Sequence, residues 1–329
     1  MNLLRRLVPG ILPPLLIAAV AYGVGHLVPV LGGPVVAILL GLVVGQVAGQ
    51  REAWRPGVTF ASKKVLQTSI VMLGATMSLG QIASTGGRTL PVLVGTLVVA
   101  LAGGALLARL LGIEKVTGQL VTYGTGICGA SAIATMSAVI GAPATSIALS
   151  VTVIVVYNVL GAISFPLLGH AMGLSQESFG LWAGTAINDT SSVVAAATAY
   201  GATAATVAVV VKLTRTLAII PLALYESWRV HRSSDAGTRP VWWRLVPPFL
   251  VLFLVAAAAR SVGVIPASWA PAIKEIAYVG TTVAMAAVGM SSSLGQVKQA
   301  GWRPVALGGL LWLLVASSSL GLQWVSGTL

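Results

Sequence analysis

An all-α, polytopic membrane fold is what this 329-residue sequence predicts, on three observations. Hydrophobic residues make up 57% of the chain and charged ones only 8%, against about a quarter charged in soluble domains. Mean hydropathy is +0.95. Apolar stretches of about 20 residues recur from end to end, each long enough to cross a hydrocarbon core of about 30 Å. Only short polar or Gly/Pro breaks separate them, so residues 1–329 read as a single transmembrane domain.

Leu7 to Val28, behind Arg5 and Arg6, lacks a small-x-small cleavage site before a polar start and reads as a retained first helix, not a cleaved signal. Spans are expected at 9–30, 33–50, 65–83, 90–111, 118–140, 145–168, 178–200, 202–226, 245–263, 272–294 and 303–326, about eleven helices in all. In the second, Gly41-x-x-x-Gly45 and Gly45-x-x-x-Gly49 offer surfaces for close helix packing. The longest polar connector, about 227–244, holds Arg229, Arg232, Arg239 and Arg244 with Ser233, Ser234, Asp235 and Gly237, and reads as a cytoplasmic linker. A cytoplasmic N-terminus puts it inside together with Arg5, Arg6, Arg51, Arg55, Lys63, Lys64, Arg109, Lys115, Lys298 and Arg303, and leaves Arg88, Arg260 and Lys274 outside. The C-terminus is then extracytoplasmic.

Two pairs of segments resemble each other. Gly74-Ala-Thr-Met-Ser-Leu-Gly-Gln-Ile82 matches Gly289-Met-Ser-Ser-Ser-Leu-Gly-Gln-Val297, and Gly86 with Arg88 matches Gly301 with Arg303 in spacing. These copies run in opposite directions, as the inverted repeats of secondary transporters do. The second pair is Gly124-Thr-Gly-Ile-Cys-Gly-Ala-Ser-Ala-Ile133 and Gly184-Thr-Ala-Ile-Asn-Asp-Thr-Ser-Ser-Val193, both Gly-Thr-x-Ile-x-x-x-Ser-x-(Ile/Val). Small and hydroxyl residues at mid-span predict discontinuous helices, tolerated where the freed backbone lines an enclosed or watery cavity. Whether the pair is parallel or inverted depends on whether Thr145 to Leu168 crosses fully.

Function is sought between Phe179 and Arg215, where Asp189, Lys212 and Arg215 interrupt apolar sequence. One ionisable side chain near a bilayer centre costs about 2.5–3.5 kcal/mol, so three in one hairpin call for mutual partners or a polar ligand. Lys212 and Arg215 share a helix face, with Thr214 and Thr216 nearby. Two cations against one acid leave a positive balance suited to an anion; a cluster that only locks helices together is the other reading. Asn188, Thr185, Thr190, Ser191 and Ser192, with Thr125, Cys128 and Ser131 at the partner break, are the candidates to line such a site.

Other classes fit poorly. The net charge of +12 lies in short loops, not on one amphipathic face, which argues against nucleic acid. Three dispersed histidines give no metal site: His26 and His170 sit near span ends and His231 in the linker. The single cysteine, Cys128, excludes an intramolecular disulfide and reads as a packing residue. Gly124-x-Gly126-x-x-Gly129 matches a dinucleotide fingerprint in letters only, since no strand or βαβ unit accompanies it. No aspartyl pair, Ser-His arrangement or ATP-binding motif supports an enzyme or a pump. No cofactor is expected. The expected partners are a small anion and the lipid bilayer, and homo-oligomerisation stays open.

Ile127-Cys-Gly-Ala-Ser-Ala-Ile133, Phe179-Gly-Leu-Trp-Ala-Gly-Thr-Ala-Ile187, Asp189-Thr190, Val193-Val-Ala-Ala196 and Val211-Lys-Leu-Thr-Arg215 resemble the YeiH family of bacterial inner-membrane proteins. The likeness covers nearly the whole chain, from the Pro56-Gly57 loop to the Gly301–Gly309 region. Members are described as sulfate exporters, a label that is itself an inference. The resemblance implies a polytopic transporter related to the inverted-repeat folds of bile-acid and sodium/proton carriers. Where the family reads Ile-His-Asp-Thr, this chain has Asn188, which does not titrate, so any proton-coupling or gating role moves to Asp189. The expected function is alternating-access transport of a small anion, such as sulfate, a sulfonate or a carboxylate, with an anion channel as the alternative.

Overall fold

Ser78 shows how the chain makes its helices. Its hydroxyl accepts from Gln81 N–H at 3.2 Å while the Gln81 side chain accepts from Ser78 N–H at 2.9 Å, a capping box. That box starts a new helix four residues after the previous one stops. The computed structural model describes residues 2–27, 32–49, 51–233, 246–292 and 301–329, and the secondary structure of these is helical throughout, with no strand among them.

The helices are α1 (Asn2–Leu27), α2 (Gly32–Ala48), α3 (Arg55–Phe60), which a π turn at Ala61–Val65 joins to α4 (Leu66–Gly74), and α5 (Leu79–Leu110). Then come α6 (Lys115–Gly126), α7 (Ala130–Ile140), α8 (Ala144–Ala171), α9 (Gln176–Ala186) and α10 (Thr190–Tyr200). The chain closes with α11 (Ala202–Leu217), α12 (Ile219–Ser233), α13 (Pro248–Ser261), α14 (Ala270–Ser291) and α15 (Trp302–Val325). Among the described residues six stretches are long and apolar enough to cross a bilayer, and α2, α7 and α13 are shorter apolar helices. The protein is an all-α polytopic membrane protein.

Several expected boundaries move. The third span starts at Arg55, not 65, and ends at Gly74; the Ser78 box then starts α5 at Leu79 instead of 90, so Arg88 is a helical residue and not a loop one. The linker beyond Ser233, positions 293–297 of the second repeat copy, and Lys298 lie outside the described residues, as do the side chains of Arg5, Arg6, His26, His231 and Arg232.

The larger correction concerns 118–140 and 178–200, which do not cross. A crossing of about 23 residues would separate its ends by about 35 Å. Instead, the Gln176 side chain at the start of α9 accepts from Thr203 N–H at 2.9 Å, and Tyr200 at the end of α10 donates to Leu174 O at 2.5 Å. Phe179 of α9 stacks on Tyr200, with ring centroids 3.7 Å apart. So α9 and α10 form a hairpin whose ends share one face of the protein. The α6–α7 segment behaves alike at the other face. Ser146, at the start of α8, donates to Glu114 Oε2 at 3.0 Å, and Val116, Ile140 and Ile147 pack in one apolar cluster. Between the hairpins α8 runs unbroken for 28 residues, about 42 Å, so they enter from opposite faces.

Charge divides between the faces. A Cβ built on Gly112 would lie 3.7 Å from Arg303 Nη1, which puts Arg303 beside Arg109 and Lys115 at the base of the α6–α7 hairpin. Continuity through α5 and α3–α4 brings Arg55 and Arg51 to the same face. Arg88, Arg260 and Lys274 belong to the opposite half, where Leu79 N–H donates to the Ser261 hydroxyl at 2.7 Å.

Candidate functional site

The two hairpin tips meet inside the protein. In the first, α6 ends at Gly126, and Gly129 takes φ +73°, a conformation glycine adopts without strain. Gly129 N–H returns to Gly124 O at 2.9 Å, and α7 begins with no side-chain cap. A Cβ on Gly129 would lie 3.2 Å from the Asp189 Cβ, so this glycine lets the second tip approach. In the second tip α9 ends at Ala186, Ile187 is extended, and Asp189 caps α10. Asp189 accepts from Ser191 N–H at 3.0 Å and from the Ser191 hydroxyl, and its own N–H donates to Asn158 Oδ1 at 3.1 Å.

A broken helix leaves unpaired carbonyls and a negative pole at each C-terminal stub. Lys212 and Arg215 answer both. Lys212 Nζ donates to Ile187 O at 2.7 Å, and Arg215 Nε donates to Gly126 O at 2.6 Å, so one face of α11 holds both tips. Both side chains are fully buried. Neither lies within 4.0 Å of an Asp189 carboxylate oxygen, so the expected mutual pairing of the three charges gives way to pairing of each with backbone.

Several sequence candidates are already occupied. Thr185 donates to α9 carbonyls and meets the Ser319 hydroxyl of α15 at 2.7 Å. Ser191 is bound to Asp189, and Thr214 and Thr216 donate back to Val210 O and Lys212 O. Thr190 is half-buried at the start of α10; Ser131 is exposed on α7 and lies outside the buried junction. Ser192 is buried, and so is Cys128 in the first tip. His170 stacks on Tyr200, 4.3 Å between centroids, at the base of the second hairpin.

Of ten buried side-chain atoms without a hydrogen-bond partner among the described residues, five lie at the tips and the other five are spread over Ser164, Arg260, Thr281, Trp312 and Gln323. Arg215 Nη1 and Nη2, both atoms of the Asn188 amide and the Thr125 hydroxyl are buried with no hydrogen-bond partner. Each such group costs about 1–3 kcal/mol when left unmet, more when charged. Thr125 adjoins the carbonyl that Arg215 holds, and Asn188 adjoins the one that Lys212 holds. None of the three residues is more than 1% exposed, so these open groups are shut off from both faces, while Asp189 and Thr190 beside them are half-buried. On the face opposite the basic one, a groove of about 370 Å³ lined by Arg88, Thr89, Ser175, Ser178 and Thr328 lies beside the base of the second hairpin.

Two partners escaped the sequence reading. Asn158, the lone amide in apolar α8, was visible as such and positions Asp189. Buried Glu226 accepts from Tyr123 of α6 and pairs with Arg229 at 3.0 Å, tying α12 to the first hairpin. It falls at the predicted end of a span, where an acid draws no notice.

Residues 9–308 match the family described as conserved hypothetical protein 698. A UPF0324 membrane protein of Streptococcus pyogenes serotype M18 is 38% identical, with 97% of each chain covered. UPF0324 membrane proteins of Streptococcus pneumoniae serotype 4 and Streptococcus agalactiae serotype V are 36% and 34% identical, each alignment covering 99% of both chains.

Proposed function

The chain belongs to the conserved hypothetical protein 698 family, which includes the UPF0324 membrane proteins and YeiH, and we propose that it is a secondary transporter of a small anion. The observation that carries this reading is the unpaired donor set at the tips: two guanidinium nitrogens, an amide and a hydroxyl, buried where an anion would satisfy them. Hairpins entering from opposite faces supply two gates around one site, the arrangement alternating access requires. That these groups are shut off from both faces favours a carrier over a channel, which needs a continuous path. The asymmetry of charge supports an orientation in a bacterial inner membrane with the basic face and the N-terminus on the cytoplasmic side and the C-terminus outside. No chemistry on the substrate and no cofactor is assigned.

Asn188→Leu tests this directly. If the amide served packing alone, its loss would harm the fold; an unpaired buried amide replaced by an apolar side chain of similar size is instead neutral or stabilising, by about 1 kcal/mol. The expected result in proteoliposomes is a protein at least as heat-stable as wild type whose anion counterflow has fallen more than about tenfold, the loss of one good hydrogen bond. Undiminished counterflow would remove the anion site from the hairpin tips.

Asp189 is assigned the coupling role. Its carboxylate holds the N-terminus of α10, so protonation would loosen the second tip. Asparagine caps as well as aspartate but carries no proton. Asp189→Asn should therefore still exchange anion for anion but lose accumulation driven by a pH gradient; accumulation that persists would place coupling elsewhere.

A further inference from the structure

We propose that the junction is built for a singly charged anion, so that a sulfonate or carboxylate is taken in preference to sulfate. This rests on the anion-site reading above and narrows it. The ionisable side chains joined to the tips by these bonds are Lys212, Arg215 and Asp189, and with Asp189 ionised their formal charge is +1. The helix poles do not alter it, because the C-terminal ends of α6 and α9 offset the N-terminal ends of α7 and α10. Glu226 is already matched by Arg229. A monoanion brings this enclosure to neutrality. A dianion leaves an uncompensated negative charge beside Arg215, Asn188 and Thr125, none of them more than 1% exposed, where desolvation is not repaid.

The unpaired atoms point the same way. Asn188 contributes an acceptor as well as a donor, both without partners. Sulfate only accepts hydrogen bonds, so it leaves that oxygen facing its own. A hydroxy- or amino-substituted sulfonate or carboxylate satisfies donor and acceptor together.

Methanesulfonate and sulfate share a tetrahedral sulfur–oxygen head and differ in charge, which makes them the probes. Sulfate stabilises proteins generally by exclusion from their surfaces, so affinity must be read by titration calorimetry at constant ionic strength on the full-length protein in lipid nanodiscs, not by melting temperature. Wild type is expected to bind methanesulfonate at least about tenfold more tightly than sulfate. Asp189→Asn keeps the cap and removes one negative charge, and should shift that ratio toward sulfate by about tenfold or more. Sulfate binding as tightly as methanesulfonate overturns the proposal and leaves the anion site standing. A preference indifferent to Asp189→Asn also overturns it, because shape and not charge would then be selecting. If neither anion binds, the anion-site reading itself falls.

Discussion

Arg215→Lys is expected to lower anion exchange about a hundredfold, the scale of one charge-assisted contact of about 2–3 kcal/mol, while the purified protein keeps its heat stability to within about 1 kcal/mol. The two halves of that result come from different atoms of one side chain. Arg215 Nε holds Gly126 O at the end of α6, and a lysine ammonium can take over that bond and keep the charge. Nη1 and Nη2 are buried and unpaired, and lysine replaces their planar fork with nothing. Counterflow in proteoliposomes beside thermal melting of the same preparation separates the two. Exchange that survives would mean the free nitrogens do not meet the substrate.

How much of this was written in the sequence differs by residue. The Gly-Thr-x-Ile repeat announced both helix breaks, because glycine and hydroxyl residues at mid-span make an uninterrupted helix hard to explain, and Gly126 and Ala186 are where the helices stop. The doubling back was not visible. Two half-helices joined by a short turn occupy 115–140, a length that a single tilted crossing also occupies, and hydropathy responds to length and polarity alone. Only long-range contacts such as Gln176 with Thr203 tell them apart. The parallel-or-inverted question turns on whether α8 crosses, and α8 is one unbroken helix of 28 residues.

The charges were legible as important and illegible in their pairing. Opposite charges within one hairpin invite the inference of an ion pair, since only side chains are written in a sequence. The breaks create a second set of partners, the freed carbonyls of Gly126 and Ile187, which exist only once the helices have ended. Against them the two cations are better placed than against Asp189, whose carboxylate is already taken by the N-terminus of α10. Of the candidate site residues, Arg215, Asn188 and Thr125 are left with open valences, and Thr185 and Ser191 are consumed by their neighbours.

Lys212 separates the architectural reading of these charges from the functional one most sharply. Its ammonium donates to Ile187 O, whereas the Nη atoms of Arg215 have no protein partner. Lys212→Met keeps the stem and its packing but removes the donor from the C-terminal end of α9, leaving a buried carbonyl without its partner beside an uncompensated negative pole. The expected cost is about 2–3 kcal/mol of stability, seen as a lower melting temperature and a second hairpin more readily cut by protease at 187–189. Transport falls with it, through a displaced tip. Lys212→Arg, which can still reach the carbonyl with a charged donor, should recover most of the stability. The opposite pattern, a Lys212→Met protein that melts like wild type yet transports nothing, would return Lys212 to the substrate side and leave the second tip to be held by Asn158 and the Asp189 cap alone.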